Sequence, residues 1–148
     1  MQTVFIASDH AGFELKEHLK SLLHLRPAFE LRDVGTESLA SVDYPDIIHR
    51  AATLMKTTPQ AKGVFICGSG NGVCITANRY AHLRAALAWN SEIARLARQH
   101  NNANVLCLPA RFISLTEAEN CLWAFLNTSF EGGRHELRVS KINPALEN

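Results

Sequence analysis

Gly63-Val64-Phe65-Ile66-Cys67-Gly68-Ser69-Gly70-Asn71-Gly72 is the stretch on which the fold turns. The run from Gly63 to Cys67 is apolar throughout, as a strand covered on both faces reads. It ends in glycines alternating with Ser69 and Asn71, and Val73 to Asn78 follows as a short helix. Strand, glycine loop and helix open a βα unit. On the N-terminal side the same grammar repeats. Val4-Phe5-Ile6-Ala7 is a strand, and Gly12 to Leu25 places Phe13, Leu15, Leu19, Leu22 and Leu23 at helical spacing. Phe29 to Val34, closed by Gly35, is a second strand, and Asp46 to Lys56 is a second helix. On the C-terminal side come a strand at Arg84 to Trp89, a helix at Ser91 to Gln99, a strand at Val105 to Leu108 and a helix at Leu115 to Leu126. Glu131 to Ile142 reads as a mostly polar helix. Strands alternating with helices predict an α/β fold: a Rossmann-like three-layer α/β/α sandwich on a five-stranded parallel sheet. One domain covers residues 1–148, with a C-terminal helical arm over 131–148.

Composition narrows the class. The 148 residues carry 15 basic and 14 acidic side chains, a net charge of +1, without the basic excess of a nucleic-acid binder. Apolar residues are 47% and charged residues 20%, the balance of a globular protein with one full core. No apolar run reaches membrane-spanning length, and the N-terminus does not read as a signal peptide, so no membrane partner and a cytoplasmic location are expected. The four cysteines are too scattered for a disulfide scaffold, and no His/Cys cluster has zinc spacing. Cys74, Cys107 and Cys121 read as small buried hydrophobes.

In such folds ligands bind beyond the carboxyl ends of the strands. Four groups of polar residues are expected there: Ser8 to Gly12 after the first strand, Cys67 with its loop, His100 to Asn104 beside the fifth strand, and Arg111 after it. Gly68, Gly70 and Gly72 leave backbone N–H groups free, and the helix behind them favours negative charge. The loop therefore suits a phosphate, a carboxylate or a developing oxyanion. It is not a P-loop, because Gly72 is followed by Val73 rather than Lys, nor a dinucleotide fingerprint. A cysteine-dependent phosphatase would need an arginine where Val73 stands. Cys67, before those N–H groups and the helix, is placed to be a thiolate, as nucleophile or as base. His10 and His100 are acid–base candidates near neutral pH. Arg134 and Arg138, four apart, share a helix face and could grip one phosphate. The weak apolar face of that arm calls for a docking surface, another subunit among the candidates.

Several blocks, in order, closely resemble ribose-5-phosphate isomerase type B, a family related to the galactose- and allose-6-phosphate isomerases. They are Ser-Asp-His-Ala-Gly-Phe at 8–13, Asp-Tyr-Pro at 43–45, Ile-Cys-Gly-Ser-Gly-Asn-Gly at 66–72, and Ala-Arg-Gln-His-Asn-Asn-Ala-Asn-Val-Leu at 97–106. Arg111-Phe112 and Glu-Gly-Gly-Arg-His at 131–135, with Arg138, complete the set. The resemblance implies an aldose–ketose isomerase of the pentose phosphate pathway that interconverts D-ribose 5-phosphate and D-ribulose 5-phosphate. It assigns Cys67 as the base between C1 and C2, Ser69 beside it, and the N–H groups of Gly68, Gly70, Asn71 and Gly72 to the enediolate. His100 opens the furanose ring, and Asn101 and Asp9 hold hydroxyls. Tyr44 lines the sugar pocket, and His10, Arg111, Arg134 and Arg138 take the phosphate or its surroundings. Some relatives use a glutamate just after the loop; Val73 stands there, so this chain looks like the cysteine type. Asn102-Ala103 and Pro109-Ala110 depart from the usual pattern beside the chemistry. The resemblance further implies a homodimer, or a dimer of such dimers, with sites at the subunit boundary.

Enediol chemistry needs a base and oxyanion donors, so no cofactor and no metal are expected. Rival readings are an isomerase of allose 6-phosphate, galactose 6-phosphate or a tetrulose phosphate, and a non-catalytic phosphosugar-binding module. The module needs neither Cys67 nor His100. A receiver-type domain would need an acidic cluster at the strand ends, where only Asp9 fits.

Overall fold

The computed structural model describes residues 1–145. The last three residues of the expected arm lie outside them. Five strands, β1 (Gln2–Ser8), β2 (Phe29–Gly35), β3 (Lys62–Cys67), β4 (Ala85–Leu87) and β5 (Val105–Pro109), form one parallel sheet in the order β2-β1-β3-β5-β4. Among the described residues five helices cover it, α1 (Phe13–His24), α2 (Tyr44–Lys56), α3 (Asn71–Ala77), α4 (Ser91–Asn101) and α5 (Leu115–Asn127), and a sixth, α6 (Arg134–Ser140), packs on α4. Among the described residues no helix is long and apolar enough to cross a membrane.

The period-two alternation of a strand builds the three layers. Val4 and Ile6, Val64 and Ile66, and Leu106 and Leu108 face one side, where Leu15, Leu19 and Leu23 of α1, Ala94 and Ala97 of α4 and Leu122 and Phe125 of α5 close over them. Phe5 and Ala7, Phe65 and Cys67, and Val105 and Cys107 face the other, against Ile48, Ala51, Ala52 and Met55 of α2 and Val73 and Ala77 of α3. Burial of each large side chain contributes about 1.5–3 kcal/mol. The central strands therefore hold the sheet, and their carboxyl ends hold whatever follows them.

The expected strand from Arg84 to Trp89 shrinks to Ala85–Leu87. Side chains take the ladder's place at its start: Asn104 Oδ1 accepts the Arg84 N–H at 2.7 Å, and Asn78 binds both the N–H and the carbonyl of Ala85. Asn78 thereby blunts a sheet edge. The helix expected at Ser91 to Gln99 runs on through His100 to Asn101 and stops where Asn102 turns left-handed, φ 46°. His100 and Asn101 are thus helical residues rather than loop residues. The arm is helical only from Arg134 to Ser140, after Gly132 and Gly133 at positive φ. It is not left without support on its own chain. The Glu131 N–H donates to the Gln99 carbonyl at 3.1 Å, and His135 is buried against α4.

Candidate active site

The first cavity, about 390 Å3, opens at the carboxyl ends of β1, β3 and β5. The chain turns away from β1 in opposite directions to β2 and to β3, so a crevice forms between them, where open parallel sheets bind ligands. Asp9, Tyr44, Cys67, Gly68, Ser69, Gly72, Arg111 and Phe112 line it. Cys67 is the last residue of β3, 4% exposed, on the sheet face that carries α2 and α3. Gly70 caps α3 at φ 76°, a conformation an L side chain resists, and a Cβ there would stand 2.5 Å from Leu87. A Cβ at Gly72 would overlap the Tyr44 ring, so the missing side chain lets that ring lie on the loop. Arg111 is drawn in from the far side, its N–H donating to the Gly68 carbonyl at 3.0 Å.

Asp9 is held beside the thiol. Its Oδ1 accepts the Gly12 N–H at 3.1 Å, and its own N–H donates to the Ile66 carbonyl at 3.2 Å. His10 Nδ1 accepts the Val42 N–H at 3.2 Å, so a neutral ring carries its proton on Nε2 and presents a donor there. Of the remaining thiols, burial pushes Cys107 well above its ordinary value and Cys121 up to about 12, so both stay protonated. Cys74 is lowered, chiefly by a hydrogen bond from Cys107, and bonds the Ala85 carbonyl away from the cavity. Cys67 is the cysteine that meets the crevice.

The second cavity, also about 390 Å3, is lined by His100, Asn101, Arg134, His135, Arg138, Val139 and Ile142. Its two arginines suit a phosphate. The imidazoles of His100 and His135 stack, centroids 4.3 Å apart and planes 13° from parallel. Burial first, then His100 and Arg134, lowers the pKa of His135, while Glu131, 3.5 Å from its Nε2, opposes the shift. His100, Glu131 and His135 place donor atoms within 4.8 Å of one another, a grouping that sequence spacing could not show. It is not a metal cage as it stands. A metal must lie near the plane of each donating ring, and two nearly parallel stacked planes share no such point; Arg134 and Arg138 also line the pocket.

The two cavities share no residue. Cys67 pairs with Pro109, at the carboxyl end of β5. His100 and Asn101 end α4, just before the chain enters β5 at Val105 from the amino end. The four strand steps between Val105 and Pro109 span about 13 Å. This corrects the expectation that His100 to Asn104 belong to the carboxyl-end crevice: α4 runs back along the sheet and delivers them to the opposite edge. Arg111 likewise stands with Cys67 and apart from Arg134 and Arg138. His10, Gly70 and Asn71 line neither cavity. Phe112, 76% exposed, and His135 join the lining without having been assigned a role from sequence.

Residues 4–142 match the family model described as Ribose/Galactose Isomerase. Ribose-5-phosphate isomerase B of Escherichia coli is 37% identical over 142 residues, 96% of this chain and 95% of that protein. The crystal structure of a ribose 5-phosphate isomerase from Thermotoga maritima superposes with a TM-score of 0.92 at 46% identity, covering 97% of this chain and 99% of that one. Ribose-5-phosphate isomerase B from Mycoplasma genitalium, solved with bound ribulose-5-phosphate, gives 0.84 at 43% identity, covering 95% and 93%.

Proposed function

The chain belongs to the ribose/galactose isomerase family, and on that premise we propose that it interconverts D-ribose 5-phosphate and D-ribulose 5-phosphate through an enediolate. The observation that carries the reading is Cys67, set at the mouth of the strand crevice beneath a glycine loop, with Asp9, Tyr44, Ser69 and Arg111 around it. Ribose 5-phosphate arrives as a furanose. His100 takes the O1 proton and returns one to O4, which breaks the C1–O4 bond and frees the aldehyde. The Cys67 thiolate removes the C2 proton, and the electron pair moves through C1 to O1. Backbone N–H groups of the Gly68 to Gly72 loop receive the negative charge. The proton returns to C1 while O2 passes its own proton to O1, and the ketone forms. Asp9 and Asn101 hold hydroxyls, and Tyr44 covers the chain of carbons. His10, Arg134 and Arg138 meet the phosphate, and Arg111 stands at the other end of the sugar, nearer the reacting carbons.

These roles need Cys67 and His100 on one substrate, and one chain holds them at opposite ends of its sheet. We therefore place the site between two copies in a twofold dimer, the Cys67 cavity of one facing the His100 cavity of the other. His100, Arg134 and Arg138 line one cavity, so they cross over together. A phosphorylated sugar is charged and confined by membranes, which puts the work in the cytoplasm.

The test is turnover of ribose 5-phosphate run in parallel with allose 6-phosphate and galactose 6-phosphate, with and without chelator. Preference for the pentose, unaffected by chelator, is expected. Preference for a hexose phosphate would overturn the substrate, and activity restored only by a divalent ion would overturn the metal-free chemistry.

A further inference from the structure

We infer that His135 is a positioning residue for ring opening: its stacked imidazole fixes the plane of His100 while leaving both nitrogens of His100 free for substrate. The inference rests on the assignment of ring opening to His100. That step asks one group to accept a proton from O1 and deliver a proton to O4, and an imidazole with both nitrogens free can do so at either one. Four histidines elsewhere in the fold are held the ordinary way, through a nitrogen. His10 accepts from Val42, His18 pairs with Glu119 at 2.6 Å, His49 with Tyr80 at 2.5 Å, and His82 with the Ala52 carbonyl at 2.8 Å. Among the described residues no hydrogen bond holds the His100 ring; the stack with His135, 4.3 Å between centroids, does.

The holder is itself fixed. His135 is 8% exposed, its N–H donates to the Gly132 carbonyl at 3.1 Å, and Glu131 stands 3.5 Å from its Nε2. Glu131 in turn is tied to Gln99, the residue before His100. A flat face is what the arrangement requires of position 135. Displacing a reacting group by about 1 Å can cost about a hundredfold in rate.

Substrate chemistry supplies a readout for this step alone. Ribulose 5-phosphate cannot close on its C2 ketone, because its C5 oxygen carries the phosphate. It therefore enters the reaction already open, whereas ribose 5-phosphate must first be opened. Turnover from both sides is measured for wild type, His135→Leu, His135→Phe and His100→Ala, with inorganic phosphate as competitor to report on Arg134 and Arg138. We expect His135→Leu, which fills the space without a flat face, to lose about ten- to a hundredfold from the ribose side. Its turnover from the ribulose side and its phosphate affinity should stay near wild type. His135→Phe, which keeps the face, should stay within about threefold on both sides. Equal turnover in all His135 variants would overturn the inference. So would loss from both sides together with phosphate affinity, which would make His135 a staple for the arm. Loss in Phe matching that in Leu would overturn the stacking role. Retained ribose-side turnover in His100→Ala would instead remove the ring-opening assignment, and this inference with it.

Discussion

At residue scale the chemistry turns on which cysteine meets solvent-filled space. Cys67 does so because it is the last residue of a buried strand, where the chain must break from the ladder and turn into the glycine loop. Replacing Cys67 by Ala should lower turnover about two to four orders of magnitude, the usual effect of losing a positioned base. Substrate should still bind, because the phosphate grip lies elsewhere. Single-turnover kinetics with an equilibrium binding measurement would check both. Cys74→Ala should leave turnover close to wild type, since that thiol faces the Ala85 carbonyl. Collapse in the Cys74 variant with survival in the Cys67 variant would reverse the assignment.

At the scale of elements, α4 and α6 act as one piece. The Glu131 to Gln99 hydrogen bond and the paired imidazoles dock a mostly polar helix, and docking sets Arg134 and Arg138 on the wall that His100 also lines. Arg138→Ala should raise KM more than it lowers kcat, because a phosphate contact remote from C1 and C2 acts on ground and transition states alike. An unchanged KM with collapsed kcat would place that arginine in the chemical step. On the other edge, α1 is tied to β2 by ions. Lys16 is fully buried, and its ammonium donates to Asp33 at 2.8 and 3.0 Å; Lys20 adds a contact at 2.6 Å and the Gly35 N–H one at 2.9 Å. Burial raises the Asp33 carboxyl, but the two lysines and the Gly35 N–H outweigh it and hold it below its ordinary range. Asp33→Asn should destabilise by about 2–3 kcal/mol at neutral pH, since it leaves a buried ammonium short of its main partner. A depressed carboxyl stabilises above its unfolded value, near pH 3.9, and loses that contribution as pH falls through its folded value. Urea midpoints at fixed protein concentration should therefore differ most at pH 7 and converge below about pH 4. A gap that widens in acid would contradict the ion-pair account.

The whole molecule sets the oligomer question. The Cys67 cavity and the His100 cavity lie at opposite ends of the sheet, so a twofold dimer can complete two sites at once. Mixing inactive Cys67→Ala subunits with inactive His100→Ala subunits under exchange should restore about a quarter of wild-type activity, the statistical yield of one intact site in half the dimers. The Arg134/Arg138 double alanine variant should complement Cys67→Ala equally well. It should not complement His100→Ala, because those residues share a cavity. Recovery in neither Cys67 pairing, with exchange confirmed, would leave two self-contained sites.

Local physics settled much of this protein in advance. Apolar runs at Val4 to Ala7, Gly63 to Cys67 and Val105 to Leu108, alternating with helical spacing, require a parallel sheet covered on both faces. Gly68, Gly70 and Gly72 after such a run require a bare loop at its carboxyl end, with Cys67 beside it. These are properties of neighbours in the chain, so the sequence holds them directly. Helix ends were less legible: the apolar pattern of α4 fades at Gln99, but Asn102 stops the helix, and a left-handed turn leaves no mark in hydrophobic spacing. The direction of α4 decided the rest. A helix between two parallel strands must run back along the sheet, so its C-terminus lies at the amino edge, and His100 lies there with it. That fact, and the meeting of His100 with His135 across a long loop of chain, depend on how elements pack rather than on which residues follow one another. Only the tertiary structure could divide one set of site residues between two ends of the molecule.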